Sequence, residues 1–472
     1  MEQLRGSDHV WFAIETAHAP LHFVGAAVYD PSTRAGGAIG LDDLKMTMRR
    51  ELHRLPLRKK LVTAPWRLDL PYWVDAEDFD LDNHVRELTL RPPGDRSAFR
   101  DAITGFLEAP FDQSRPLWEM NLISDLDNVD GFPNGSFAVL VRVHHGQFDG
   151  TTALKLLHAL HDDRPEAVDD PAPPWVPERT PTAPELLVRA PWHFAERMWR
   201  TAAVTRTIAP ILARRLGPRG SGSSAPRPPV PRTRFSKRLE SHRRVFDFLH
   251  LPLDDVLAIR AAVEDATVND VASTIAGGAL RRFLASVDEL PDDPLVVLMP
   301  VSAHEPGSET DTGTRISLMT ATVHTEIADP LERLRRGRES SARAKRTTRE
   351  VGATNVADLV DVLPTNALDL VAEPLTRSGI LEALPLPISG ITLTNVPGPA
   401  EPLYFDGARM VTLLGATFLV DVMGLIIAIT SYCDQLVVAF TSTPEAVPDP
   451  GFLAECFQES FLELRTAAEA AI

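Results

Sequence analysis

Two adjacent histidines, His144 and His145, are followed by Gly146-Gln147-Phe148-Asp149-Gly150. Imidazole is the side chain whose ordinary pKa lies near neutral pH, so such a pair suits general-base chemistry, for example taking a proton from a hydroxyl. The residues just before it, Ser136 to Val143, are β-branched and apolar and predict a strand running into the pair. Neighbouring strand residues point to opposite faces, so only one histidine faces a given cleft and the other is structural. Gly150 permits an unusual backbone angle at the turn. Asp149 can accept from amides at the start of the following helix, or pair with an arginine and hold the turn rigid. On residue types alone, plain structure explains the motif better than catalysis does.

No companion motif points to another chemistry. There is no GxSxG elbow, HExxH, phosphate-binding GxxxxGK[ST], or GxGxxG after a strand, and Ser221 lies in a Gly/Ser stretch unsuited to a nucleophile. The two cysteines, Cys433 and Cys456, have no disulfide-framework or zinc-type spacing. No metal and no permanently bound cofactor is therefore expected. A net charge of -17 argues against nucleic acid, which needs a basic surface. The chain, 44% hydrophobic and 24% charged, reads as globular, and its 472 residues suggest two or three domains.

The start, Met1 to Asp8, lacks the pattern of a secretory leader. The most apolar window, Met410 to Thr430, is interrupted by Gly415, Asp421 and Gly424, and reads as two buried strands and a turn. A cytoplasmic protein is expected, with at most peripheral membrane association.

The elements that must position the histidines form a mixed α/β pattern. Phe23 to Tyr29 predicts a strand, while Leu41 to Leu52 and Arg96 to Leu107 predict helices. Pro116-Leu117-Trp118 reads as extended, and Leu154, Leu157 and Leu160 suit a helix after Gly150. From about Asp170 the pattern breaks, with a helix around Glu185 to Leu216 and a Gly/Ser/Pro linker from Gly220 to Pro229. Basic residues outnumber acids between Arg189 and Arg244, which suits either a solvated linker or a patch for anionic lipid or CoA phosphate. Further on, Leu253 to Val263 and Val268 to Leu284 predict helices, with Thr267 as an N-cap. Leu295 to Met299, Thr320 to Ile327, Gly390 to Thr394 and Leu425 to Tyr432 predict strands before a closing helix, Gly451 to Ala467. The expected division is 1–184, a helical and Gly/Ser/Pro-rich linker 185–234, and 235–472.

Six segments in order resemble one known family. The His144 to Gly150 stretch looks like the HHxxxDG motif of the bacterial wax ester synthase/diacylglycerol acyltransferase family. Met1-Glu2-Gln3-Leu4 with Pro20 to Gly25 is similar to its start, and Pro116-Leu117-Trp118 to its PLW motif. Asn269-Asp270 resembles its ND motif, and Thr394-Asn395-Val396-Pro397-Gly398-Pro399 its NVPGP segment. Gly424-Leu425, Ser431-Tyr432 and Ala446 to Pro450 resemble its C-terminal signature.

The resemblance implies two chloramphenicol-acetyltransferase-like α/β domains with a central tunnel. It also implies an O-acyltransferase that moves a long-chain acyl group from acyl-CoA, a co-substrate, to a diacylglycerol or fatty alcohol. The product is triacylglycerol or wax ester, and the resemblance implies a monomer or dimer working peripherally at the inner membrane face or at lipid droplets. His145 would be the general base, His144 would pack beside it, and Asp149 would hold the turn, with Arg315 as an arginine partner. Asn269 would either donate to the acyl oxygen or serve the helix start, with Asp270 beside it, and Trp118 would pack or line an acyl channel. Gly150, Thr394 and Asn395 complete the expected substrate-contacting set.

Two departures, Gly313-Thr314 where the family carries Gly-Asn and Ile426 where it carries Asn, put the acceptor in doubt. Two alternatives stay open: another hydroxyl or carrier-bound substrate on the same fold, and a non-catalytic lipid-binding relative.

Overall fold

The computed structural model describes residues 1–148, 150–164, 174–216, 230–302, 316–350 and 389–471. The strand leading into the histidines is β7 (Phe137–His144), in the interior of a six-stranded sheet. It runs antiparallel between β2 (His22–Asp30) and β6 (Trp118–Ile123). β5 (Val85–Glu87) lies outside β6, and β13 (Ala408–Ala416) and β12 (Tyr404–Phe405) lie outside β2. The sheet built by the first third of the chain is thus completed by two strands from near its end. A small three-stranded sheet joins β1 (Glu2–Gln3), β4 (Tyr72–Asp75) and β3 (Lys59–Val62).

A second six-stranded sheet has the order β10 (Ile316–Thr322), β9 (Val296–Ser302), β11 (Ile391–Val396), β14 (Leu425–Tyr432), β15 (Gln435–Ser442), β8 (Val245–Pro252). In β15 seven of eight residues are buried, as expected of a strand covered on both faces.

Helices α1 (Gly6–Ile14), α2 (Leu41–Glu51), α3 (Arg96–Glu108), α4 (Gly150–Leu160) and α5 (Ala183–Leu216) belong to the first half. Helices α6 (Leu253–Ala261), α7 (Val268–Ser286), α8 (Pro330–Glu350) and α9 (Pro450–Glu469) belong to the second. Their starts follow side-chain capping. Asp95 accepts from the Ala98 amide at 2.9 Å, and Thr267 and Asp270 cap α7 reciprocally. No described helix is long and apolar enough to cross a membrane.

A shared core ties the two sheets together. Val24, Phe99, Ile103 and Leu140 pack with Phe246, Phe248, Val437 and Leu414 in one buried cluster. Asp247 of β8, buried, receives Arg96 at 2.7 Å and also Arg100, both from α3. This puts a charge clamp beside the apolar contact.

The expected elements are present with two differences. The strand expected over Thr320 to Ile327 begins earlier and stops at Thr322, because the backbone turns at His324, whose φ is +49°. The apolar window Met410 to Thr430 does form two buried strands. They enter different sheets, however, β13 the first and β14 the second. The linker from Gly220 to Pro229 lies outside the described residues.

Candidate active site

The register of the first sheet separates the two histidines. His22 of β2 lies directly opposite His144 of β7, so their side chains share a face. His145 follows immediately, its amide donating to the Leu21 carbonyl at 3.0 Å, and its side chain belongs to the other face.

On the His144 side, Glu15 closes a buried cluster. Its Oε1 lies 3.4 Å from Nε2 of both His22 and His144, and accepts from the Leu21 amide at 3.1 Å. The Gly146 amide donates to Nδ1 of His144 at 3.0 Å. An accepting Nδ1 carries no proton, so the neutral His144 ring holds its proton on Nε2, facing the carboxylate. Glu15, His22 and His144 have ligand-type atoms within 4.8 Å of one another, as a metal site would. A protonated Nε2 is a donor and not a ligand, so the trio reads as an electrostatic cluster in which the carboxylate faces both rings. Burial opposes ionisation of Glu15, but its contacts with His144 and His22 outweigh it and hold the carboxyl well below the usual range. Burial lowers the pKa of His22, with Glu15 opposing.

On the other side, the half-buried His145 ring sits in an aromatic niche. Trp11 stacks on it with ring centroids 4.1 Å apart and planes 14° from parallel. Phe418 meets it edge-on at 5.2 Å and Phe23 at 6.3 Å. Trp11 comes from α1, Phe23 from β2 and Phe418 from beyond β13, so the niche draws on both ends of the chain. Phe12, next to Trp11, stacks on His144 at 4.3 Å. Helix α1 therefore covers each histidine with one aromatic ring. Gly146 is needed for this, since a Cβ there would sit 2.3 Å from the Phe12 ring. A cleft of about 630 Å³ opens beside Phe12 and Glu15, bordered by Asp69, Arg238 and Asp421. Glu15 is the member of the buried cluster that lines this cleft, and none of His22, His144 and His145 is among its lining residues.

The Pro116-Leu117-Trp118 segment holds the histidine turn from below. The Leu117 carbonyl accepts from the His144 amide at 3.0 Å, and the Leu117 amide donates to Gln147 Oε1 at 2.9 Å. Gln147 also donates to the Pro56 and Lys59 carbonyls. Trp118 is 0% exposed, donates to the Leu57 carbonyl at 2.6 Å and stacks on His84 at 4.6 Å. Of the two expectations for Trp118, its surroundings fit packing. Asp149 and Arg315 lie outside the described residues, as do Gly313 and Thr314; Gly150 is the first residue of α4.

The ND and NVPGP segments meet each other. Asn395 of β11 donates to the Asn269 side-chain oxygen at the first turn of α7. The Asp270 carboxylate accepts from the Thr267 amide at 2.9 Å and hydroxyl at 2.7 Å, so it serves the helix cap. Thr394 precedes Asn395 in β11, paired in register with Ala428. Gly398 donates to Ser431 Oγ at 3.2 Å, and a Cβ there would sit 2.1 Å from the Ser431 carbonyl. Two segments expected separately from sequence are thus in direct contact. The residues that sequence reading did not single out are Trp11, Phe12, Glu15 and Gln147. Their one visible signal is Glu15, the single acid in the stretch from Val10 to Tyr29.

Comparison with known proteins agrees along the whole chain. Residues 4–272 match the wax ester synthase/diacylglycerol acyltransferase catalytic domain, and residues 312–465 match the C-terminal domain of the same family. A Mycobacterium tuberculosis protein bearing the name diacylglycerol O-acyltransferase is 31% identical over 98% of this chain and 90% of its own length. The O-acyltransferase WSD of Acinetobacter baylyi is 26% identical over 95% of this chain and 93% of its own. The fold is similar to that of the wax ester synthase/diacylglycerol acyltransferase from Marinobacter aquaeolei VT8, with TM-score 0.70, 21% identity, and coverage of 99% and 100% of the two chains. It is also similar to the starter condensation domain of rhizomide synthetase in complex with C8-CoA, at TM-score 0.53 and 14% identity, covering 99% of this chain and 95% of that one. This chain belongs to the wax ester synthase/diacylglycerol acyltransferase family.

Proposed function

We propose that the chain transfers a long-chain acyl group from acyl-CoA to the free hydroxyl of a diacylglycerol or a fatty alcohol, with His145 as the general base. The observation that carries this is the division of labour between the two histidines. Both ring nitrogens of His144, 1% exposed, face partners, Gly146 and Glu15, whereas His145 is half-buried on the opposite face in a niche built from both halves. Family membership and a structural neighbour crystallised with C8-CoA support acyl-CoA as donor.

In this reading the His145 imidazole takes the acceptor's hydroxyl proton as the oxygen attacks the thioester carbonyl. The C–O bond forms, the C–S bond breaks, and the imidazolium returns the proton to the leaving CoA sulfur. A base of this kind contributes about 10²–10⁴-fold. No acyl-enzyme is involved. Asn269 has its side-chain oxygen engaged by Asn395, so the group it offers an acyl oxygen is its amide nitrogen. We read 1–184 and 235–472 as two acyltransferase domains joined by 185–234, with substrates meeting between them beside His145.

The test is a panel of acyl-CoAs and acceptors read by mass spectrometry. Ester product and free CoA in equal amounts support the proposal. Lipid binding without turnover on any acceptor would instead indicate a binding protein, and preference for a carrier-bound thioester would change the donor.

A further inference from the structure

Helix α5 carries a face that nothing among the described residues covers. One side of it is docked firmly. Leu186 packs with Ala64, Tyr72 and Val74, while His193 Nδ1 lies 2.7 Å from Asp69 Oδ2 and Arg197 also reaches the Asp69 carboxylate. Tyr72 donates to the same carboxylate at 2.5 Å. Leu186, Ala190, His193 and Arg197 recur at helical spacing, so this ladder fixes the helix's rotation about its own axis.

The rotation turns the apolar side outward. Val188 is 80% exposed, Trp192 75% and Trp199 78%, and at 100° per residue these three fall on one stripe opposite the docked one. Phe194 and Met198 extend the apolar arc at 51% and 43% exposure. The turn against which α5 packs adds Trp66, 79% exposed. Single exposed apolar residues are ordinary; a fixed arc of this size, with two tryptophans, marks a docking surface.

We propose that this face of α5 docks onto the surface of a bilayer containing anionic phospholipid. Charge selects that occupant. The chain carries -17 overall, yet α5 holds six arginines against two glutamates. Exposed Arg189 falls beside the tryptophan stripe by helical spacing, where anionic headgroups would lie, and Arg200 next to it is held by Glu196 at 2.6 Å, a surface pair that a phosphate can displace. Tryptophan itself favours the headgroup region, with its ring in the apolar boundary and its N–H in the polar one. A second copy docked through the same face is a poorer occupant, because the two arginine-rich helices would repel each other where an anionic surface would not. The proposal rests on the helix and not on the transfer reaction, so either can fail alone.

The experiment is co-sedimentation of the full chain with vesicles of phosphatidylcholine plus phosphatidylglycerol, and of phosphatidylcholine alone. Wild type is expected to pellet with the anionic vesicles. Trp192→Ser combined with Trp199→Ser should weaken that binding about tenfold or more at unchanged melting temperature. Arg189→Gln with Arg200→Gln should narrow the preference for the anionic vesicles. Wild type left in the supernatant, or a double tryptophan variant that binds as wild type does, would overturn the proposal. So would a dimer in solution that the tryptophan changes convert to monomer without any vesicle binding, since the face would then belong to self-association.

Discussion

Trp11 and His145 lie face to face, with centroids 4.1 Å apart and an interplanar angle of 14°. A base becomes a cation when it takes its proton, and an indole face stabilises an adjacent cation by about 0.5–2 kcal/mol. The stack therefore favours the protonated state that His145 reaches in the proposed transfer, besides restricting the ring's rotation. Trp11→Ala is expected to lower kcat about 2–30-fold with little change in KM, and Trp11→Phe to recover part of it. The pH–rate profile gives a second check, because the apparent pKa of the base should fall in Trp11→Ala. An unchanged profile and rate would leave Trp11 a packing residue.

On the proposed mechanism Glu15 acts one step further away, through His144 and Gly146, as a positioning residue. Glu15→Gln keeps the shape but removes the charge that faces His22 and His144. Turnover should fall while KM for acyl-CoA stays near wild type, and Glu15→Asp should restore less than the full rate. Steady-state CoA release across pH separates this from a loss of folding.

Gly146→Ala tests the packing of α1 over the turn. A methyl group at that position meets Phe12 at 2.3 Å, so the ring must leave His144. Overpacking of this kind costs about 1–3 kcal/mol, and a lowered urea midpoint should accompany reduced activity. Combining it with Phe12→Ala should recover part of the stability.

Acid should weaken the fold well before carboxylates titrate. Burial pushes His161 and His250 down to about 4, His161 being held neutral between the Leu157 carbonyl and the Tyr29 hydroxyl. A histidine with a lowered folded pKa contributes stability that is complete above its unfolded value near 6.5. That stability is lost as the pH falls from there toward 4, on the order of 3 kcal/mol for each such group. Glu15, held low in the fold, adds its own loss only below about pH 4.5. Urea unfolding at stepped pH should show the decline beginning below 6.5, and His161→Phe should make it shallower.

Much of this was legible in the sequence, for definable reasons. Strong periodicity placed α2, α3, α7 and the strand into His144 within a residue or two, and Thr267 declared itself as a cap. The histidine pair also implied that its two members face opposite ways, since that follows from the pleat alone. What stayed hidden depends on long-range register. Nothing local in Ala408 to Ala416 says that it will pair with β2 instead of its chain neighbour β14. Glu15 meets His144 across 129 positions only because α1 folds over the end of β7. The Asn269–Asn395 pair is invisible for the same reason, although both residues were singled out.

The clamp between the halves makes a separate prediction about stability. Asp247, buried, holds Arg96 and Arg100, and Asp247→Ala leaves two arginines without their carboxylate against a closed interface. The arginines left behind are 35% and 21% exposed and can rehydrate, so the cost is about 1–3 kcal/mol. Differential scanning calorimetry should show a lower melting temperature, while any folded fraction keeps its KM.

The most direct measurement compares His145→Ala and His144→Ala for both CoA release and melting temperature. If the proposal that His145 is the base holds, His145→Ala loses turnover by about 10²–10⁴-fold and melts as wild type does. His144→Ala should melt lower, because Glu15 and Gly146 lose their shared partner. Full turnover in folded His145→Ala, with activity abolished only in a normally melting His144→Ala, would contradict it.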